Sequence, residues 1–160
     1  MISLDNISNI NGKRRLYAVA TLILGVLAIS FATRYLPQSV TQHLSARLGG
    51  EVLVLEVADT NALRKQGLSG RDGLMPNEGM LFIFPSKGTY GFWMKDMRFP
   101  IDIVWLDDAY RVVDVRERVE PDSYPMVFRP DVSTRYTVEL SSGFFAKHGL
   151  AKGMSLEILR

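Results

Sequence analysis

Ile101-Asp102-Ile103-Val104-Trp105-Leu106 decides the fold. Side chains alternate across a β-strand, so a strand with one wet face alternates apolar with polar residues. Here both alternating sets are apolar apart from one carboxylate. The stretch therefore reads as a strand covered on both faces, with Asp102 close to a low-dielectric interior. Asp107-Asp108 supplies a turn after it, and residues 111–119 form the next strand.

Outward from this core, residues 51–58 are a β-branched and Leu-rich run of strand length. Asp59-Thr60 caps a short helix that ends near Gly67. Residues 80–84 read as a buried strand stopped by Pro85, and Ser86-Lys87-Gly88 turns the chain into residues 90–94 in what resembles a hairpin. Residues 136–140 and 156–159 complete the strands, and Ser142 caps a short helix over 144–148 closed by Gly149. Many short strands with two brief helices predict a mainly β (β-rich α+β) fold, a small sheet closed or half-closed into a barrel. Residues 120–130, with three prolines, form a long irregular loop of the kind that is functional or mobile.

The N-terminus has a different character. Lys13-Arg14-Arg15 precedes residues 16–33, which carry no formal charge. About 18 residues at about 1.5 Å each reach about 27 Å, close to the hydrocarbon thickness of a bilayer. Basic residues on the N-terminal side orient such a segment with the rest of the chain outside the cytoplasm. Two readings stand: a retained single-pass anchor of the inner membrane, or a signal peptide cleaved near Ser30-Phe31-Ala32 that releases the domain to the periplasm. The expected organisation is a cytoplasmic segment (1–15), an anchor or signal segment (16–36), a polar linker (37–50) and one β-rich domain (51–160).

Charge and composition exclude several functions. The chain carries a formal net charge of +2, but residues 1–36 hold Lys13, Arg14, Arg15 and Arg34 against Asp5, which leaves −1 for residues 37–160. Such a domain has no basic surplus for a polyanion, so nucleic acid is not an expected partner. The absence of cysteine removes disulfides, thiolate catalysis and zinc ribbons. Met75, Met80, Met94 and Met97 raise a soft copper(I) site, but core packing is the commoner use of methionine. His43 and His148 lie too far apart to suggest a ligand pair, so no metal or cofactor is expected. No H-E-x-x-H, G-x-S-x-G, S-x-x-K, Walker A or dinucleotide-binding glycine pattern is present.

Five polar or aromatic positions remain as candidate ligand-binding residues. Asp102, if buried, needs a partner, and Arg71 and Lys95 are the expected ones, since each lies in a polar break beside an apolar run. Phe92-Trp93-Met94-Lys95 sets an aromatic ring beside a cation, an arrangement that lines a pocket for a sugar or an anion or, more plainly, packs at the rim of a core. Arg71, among Gly67, Gly70 and Gly73, reads as an anion clamp or as an ordinary loop-tethering ion pair. Glu139 points away from the face of Tyr136, Val138 and Leu140, which by default makes it a solvated carboxylate. If it shared a cavity with Asp102, the two could form an acid/base pair.

The order Gly67-Leu68-Ser69-Gly70-Arg71, Gly79-Met80-Leu81-Phe82-Ile83-Phe84, Phe92-Trp93-Met94-Lys95, Pro100-Ile101-Asp102-Ile103 and Val138-Glu139-Leu140 followed by Gly143 resembles the prokaryotic domain of unknown function family 192. The resemblance covers nearly all of residues 51–159 and implies a small β-rich domain, frequently exported or membrane-tethered, with no established activity. The family's motif residues fall on Arg71, Trp93, Lys95, Asp102 and Glu139. Where the family usually has Met-Lys-Asn-Thr, this chain has Met94-Lys95-Asp96-Met97. The expectation is an envelope-located binding or accessory module with a cleft for a small anionic or carbohydrate-like ligand. The alternatives are a hydrolase or lyase using Asp102 and Glu139 with Lys95 or Arg71, and a structural barrel that docks another envelope protein.

Overall fold

The computed structural model describes residues 42–159, together with Tyr17, Val19 and Thr21. The apolar segment expected over 16–36 lies outside the described residues except for those three, which are helical. Among the described residues no helix is long and apolar enough to cross a membrane.

The domain is a seven-stranded, mainly antiparallel sheet with two short helices, in agreement with the expected class. Its elements are β1 (His43–Leu48), β2 (Glu51–Ala58), α1 (Asn61–Gln66), β3 (Glu78–Gly88), β4 (Ile101–Leu106), β5 (Val112–Val119), β6 (Thr134–Ser141), α2 (Phe144–Lys147) and β7 (Leu156–Leu159). The strand order is β5-β4-β6-β3-β2-β1-β7. All pairs are antiparallel except β2–β3, whose crossover carries α1. The two edge strands approach each other at an antiparallel bridge between Arg111 and Ser155, with Leu156 N–H donating to Tyr110 O at 2.9 Å. The sheet is thus a curled half-barrel.

Curling gives the sheet an inner and an outer face, and both are covered. The inner face holds Leu48, Leu53, Leu55, Leu81, Val104, Val138, Leu140 and Leu156, plugged by Phe144, Phe145 and Leu150. On the outer face Met80, Phe82, Ile103 and Trp105 pack beneath Leu68, Phe92 and Met94. Each such side chain fully removed from water stabilises the fold by about 1.5–3 kcal/mol. β4 lies between β5 and β6 with all six residues buried, as its doubly apolar sequence requires.

Three local expectations are corrected. Residues 43–48 belong to the sheet, not to a linker: Ala46 and Leu48 face the core while Arg47 faces out. Gly49 and Gly50, both at positive φ (59° and 95°), turn β1 into β2, the conformation a two-residue hairpin loop demands. Pro85 does not end β3, because it falls where the β3–β6 register breaks between Ile83 and Gly88 and no ladder N–H is needed. Residues 90–94 are not a hairpin partner of β3, whose neighbours are β2 and β6; Phe92 instead bridges Phe128 in the 120–130 loop.

Candidate functional site

One row of in-register residues crosses the outer face of the sheet: Glu56 on β2, Met80 on β3, Glu139 on β6 and Ile103 on β4. Two carboxyls therefore flank a methionine on a face otherwise built from Phe82, Trp105 and Ile103. Glu56 receives both ends of the Arg71 guanidinium: Nη1 donates to Oε1, and Nη2 to Oε2 at 2.8 Å. The Arg71 hydrogen bond holds the Glu56 carboxyl below its ordinary range against the opposing effect of burial.

Glu139 has no such partner. It is 6% exposed, and its Oε2 is buried without a hydrogen bond. Burial raises its pKa to about 8, with the more distant Arg71 charge pulling the other way. At neutral pH this side chain is a carboxylic acid, a hydrogen-bond donor and not only an acceptor.

Glu139 lines a cavity of about 160 Å³ that lies between α1 and the segment 90–97. Its walls are aromatic: Phe84 stacks on Tyr90 with ring centroids 3.7 Å apart, and Phe82 meets Phe92 edge-on at 5.0 Å. α1 is short because Thr60 caps it, accepting from Leu63 N–H, and Gly67 ends it at φ 51°. That leaves Arg64 and Lys65 in its last turn beside the cavity. Arg64 is immobilised over the Phe84 ring at 5.5 Å and donates to the carbonyls of Asp59 and Ile83.

A wider cleft of about 500 Å³ adjoins the first and shares Lys65, Gln66, Ser69 and Trp93 with it. Lys95 and Asp96 form its far side. Trp93 is 53% exposed between the two, flanked along the chain by buried Phe92 and Met94. The loops on either side are stitched together: Gly70 N–H donates to Asp96 O at 2.8 Å and Ser69 Oγ to Lys95 O at 2.9 Å. Asp96 sits at φ 56°, a conformation that Asp and Asn tolerate better than other non-glycine residues.

The five residues singled out from sequence thus separate. Trp93, Lys95 and Glu139 line the two adjoining hollows, and Arg71 lies behind them, engaged with Glu56. Asp102 is elsewhere. It is fully buried, but on the inner face, in register with Leu140, one residue out of phase with Glu139. Neither Arg71 nor Lys95 is its partner. Its Oδ1 accepts from Arg118 N–H at 2.8 Å and Gly143 N–H at 2.9 Å, and its Oδ2 from Phe145 N–H at 2.9 Å. Those bonds tie β4 to the left-handed Arg118 (φ 52°) and to the start of α2, which is structural work. With the sheet between them, Asp102 and Glu139 cannot act as an acid/base pair. Sequence reading missed Glu56, Arg64, Lys65 and Tyr90; only Glu56, an acid within an apolar strand run, carried a signal.

The model of family DUF192 (Uncharacterized ACR) matches residues 44–158. Among solved structures, a proposed transcription regulator from Sinorhizobium meliloti 1021 is similar at 26% identity and a TM-score of 0.71, covering 76% of this chain and 97% of its own. A protein of unknown function from Novosphingobium aromaticivorans DSM 12444 is similar at 26% identity and a TM-score of 0.70, covering 76% and 89%. No curated protein matches the chain.

Proposed function

This chain belongs to the DUF192 family of uncharacterised proteins, and from that premise we propose that its domain is a binding module for a small anionic or carbohydrate-like ligand. The site is the paired hollow beneath α1 and the 90–97 segment. The observation that carries this reading is Glu139, a buried carboxyl with one oxygen left without a hydrogen bond, on a side chain that lines an aromatic cavity. A polar atom in that position costs about 1–3 kcal/mol unless something bonds to it. Trp93 offers an exposed ring against which a sugar or other flat body stacks. Lys65 and Lys95, both exposed, put positive charge where the two hollows meet solvent.

The Sinorhizobium protein is described as a transcription regulator, a role that would call for a nucleic-acid partner if it were carried over to this chain. Residues 37–160 of this chain sum to −1, which gives no field for a polyanion, so a small ligand is the better fit. The basic residues preceding the apolar stretch 16–33 support a location in the cell envelope, with the domain outside the cytoplasm. Protease added to spheroplasts should then degrade the domain; protection by an intact inner membrane would contradict that placement.

The binding proposal is tested by thermal shift against a panel of sugars and sugar acids, repeated with Trp93→Ala and Lys95→Ala. A ligand at 100 times its Kd adds about 2.7 kcal/mol. A bound compound should raise the melting temperature of the native domain and lose most of that effect in Trp93→Ala. If nothing in the panel stabilises the domain, or if both variants respond as the native chain does, the cleft is not a binding site for these compounds.

A further inference from the structure

Resting on the binding reading above, we propose that the ligand is an organic carboxylate and that Glu139 recognises it as a neutral acid, donating its own proton in a hydrogen bond to the ligand's carboxylate oxygen. The surroundings of Glu139 leave little else for it to do. From β2 it faces Glu56, which Arg71 engages at both oxygens. β3 and β4 present Met80, Phe82 and Ile103, none of which titrates. From the 90–97 segment comes Tyr90, whose hydroxyl donates to Ser86 O at 2.9 Å. α1 contributes the fixed Arg64 and the exposed Lys65. One strand beyond Ile103, Arg116 is engaged by Asp114.

The charge count at the cavity then has one sign. Arg64 and Lys65 are positive, and the single acidic group in the lining is uncharged at neutral pH because burial without a cationic partner opposes ionisation. Such a hollow attracts an anion, and the neutral acid at its foot does not repel one. A carboxyl kept unionised so that it can donate to an anionic oxygen is an established device of binding and catalytic sites.

The lining also selects among anions. A phosphate dianion needs several strong donors, whereas Phe82, Phe84, Tyr90 and Phe92 supply apolar wall. A carboxylate carries one charge, needs few donors and shares a proton readily with a second carboxyl. Its carbon body has a place to lie on Trp93, towards Lys95 in the wider cleft.

The mechanism makes affinity depend on pH in one direction. While Glu139 holds its proton the anion is bound; once Glu139 ionises, donor becomes repelling charge, and affinity falls about tenfold per pH unit. With the free carboxyl titrating near 8, the fall sets in around that value and continues up to the higher pKa that the bound anion imposes.

The test is titration calorimetry with glucuronate and benzoate as anionic probes and glucose as the uncharged match, from about pH 6 to about pH 9.5, below the ordinary lysine range. The native domain should bind an anionic probe at least tenfold more tightly than glucose, with affinity level in the lower half of the range and falling above it. Glu139→Gln, which keeps a neutral N–H donor, should flatten the pH profile. Glu139→Leu should weaken the probe tenfold or more in the lower half of the range and bind it independently of pH, so that the gap to the native domain closes as pH rises, while the domain still melts cooperatively. A pH-independent affinity in the native domain, or glucose bound as well as glucuronate, overturns the neutral-acid proposal and leaves the binding cleft standing. Failure of all three probes to bind overturns both.

Discussion

Replacing Glu139 by Gln should stabilise the domain at neutral pH and leave its stability unchanged in mild acid. In the unfolded chain the carboxyl ionises near its ordinary value of 4.5, whereas in the folded domain burial keeps the proton on up to about 8. The folded value lies above the unfolded one, so the group's favourable contribution is complete below the unfolded value and is lost as pH rises towards the folded value. Each pH unit inside that window costs about 1.4 kcal/mol, which amounts to about 3 kcal/mol by about pH 7. Gln carries no ionisable proton and escapes that slope while keeping a similar shape. For a domain of this size the difference corresponds to roughly 10 °C in melting temperature. Urea denaturation of both proteins at a series of pH values between about 4.5 and 8 reads the gap directly. It should open from near zero to its full extent and then level off. A Gln variant less stable than the native domain at neutral pH, or a gap of constant size, would mean that Glu139 is ionised and paired in the folded state.

Three other substitutions probe the scaffold of the site. Asp102→Ala orphans the buried N–H groups of Arg118, Gly143 and Phe145 and should cost about 3–5 kcal/mol in urea denaturation, without altering the outer-face cleft; a loss under about 1 kcal/mol contradicts that accounting. Arg71→Ala strips Glu56 of its bidentate partner, and because Arg71 is about a third exposed the cost at neutral pH should be modest, about 1–2 kcal/mol. The Glu56 carboxyl is held below its ordinary 4.5, so that stabilisation is present above 4.5 and disappears as pH falls through the lowered folded value; an acid titration of both proteins should show their stabilities converging. Gly79→Ala places a methyl group 2.6 Å from the Glu139 carbonyl oxygen and 2.9 Å from both Leu55 and Leu140, and should lower stability by about 2–3 kcal/mol in the same assay.

How far the letters of the sequence reach is shown by these same residues. The double apolar pattern of residues 101–106 located a central strand because covering both faces leaves no position for polar residues. The same pattern announced that Asp102 is buried, but not what it bonds to. Its partners are backbone N–H groups 16, 41 and 43 residues away, and a backbone amide has no residue type to read. Glu139 misled for a related reason. Alternation said which face it occupies, and the default of a wet second face fails where α1 and the 90–97 segment cover that face too. β1 was hidden by its small and polar residues, His43, Ser45, Ala46 and Arg47, and by a Gly-Gly pair that serves a flexible linker and a tight hairpin equally well. Arg64 and Lys65 carried no signal in a helix of about two turns. Only the crossover from β2 to β3 brings them over the aromatic cavity. What could be read was which residues lie inside; what could not was the pairing of elements distant in the chain.

The protonation state of one buried side chain decides most of this account, and it can be observed without any ligand. Carbon-13 NMR of the Glu139 carboxyl, assigned with the Gln variant and followed across the pH range, should show a midpoint near 8, moving higher when glucuronate is added. A midpoint at the ordinary glutamate value near 4.5 would contradict it.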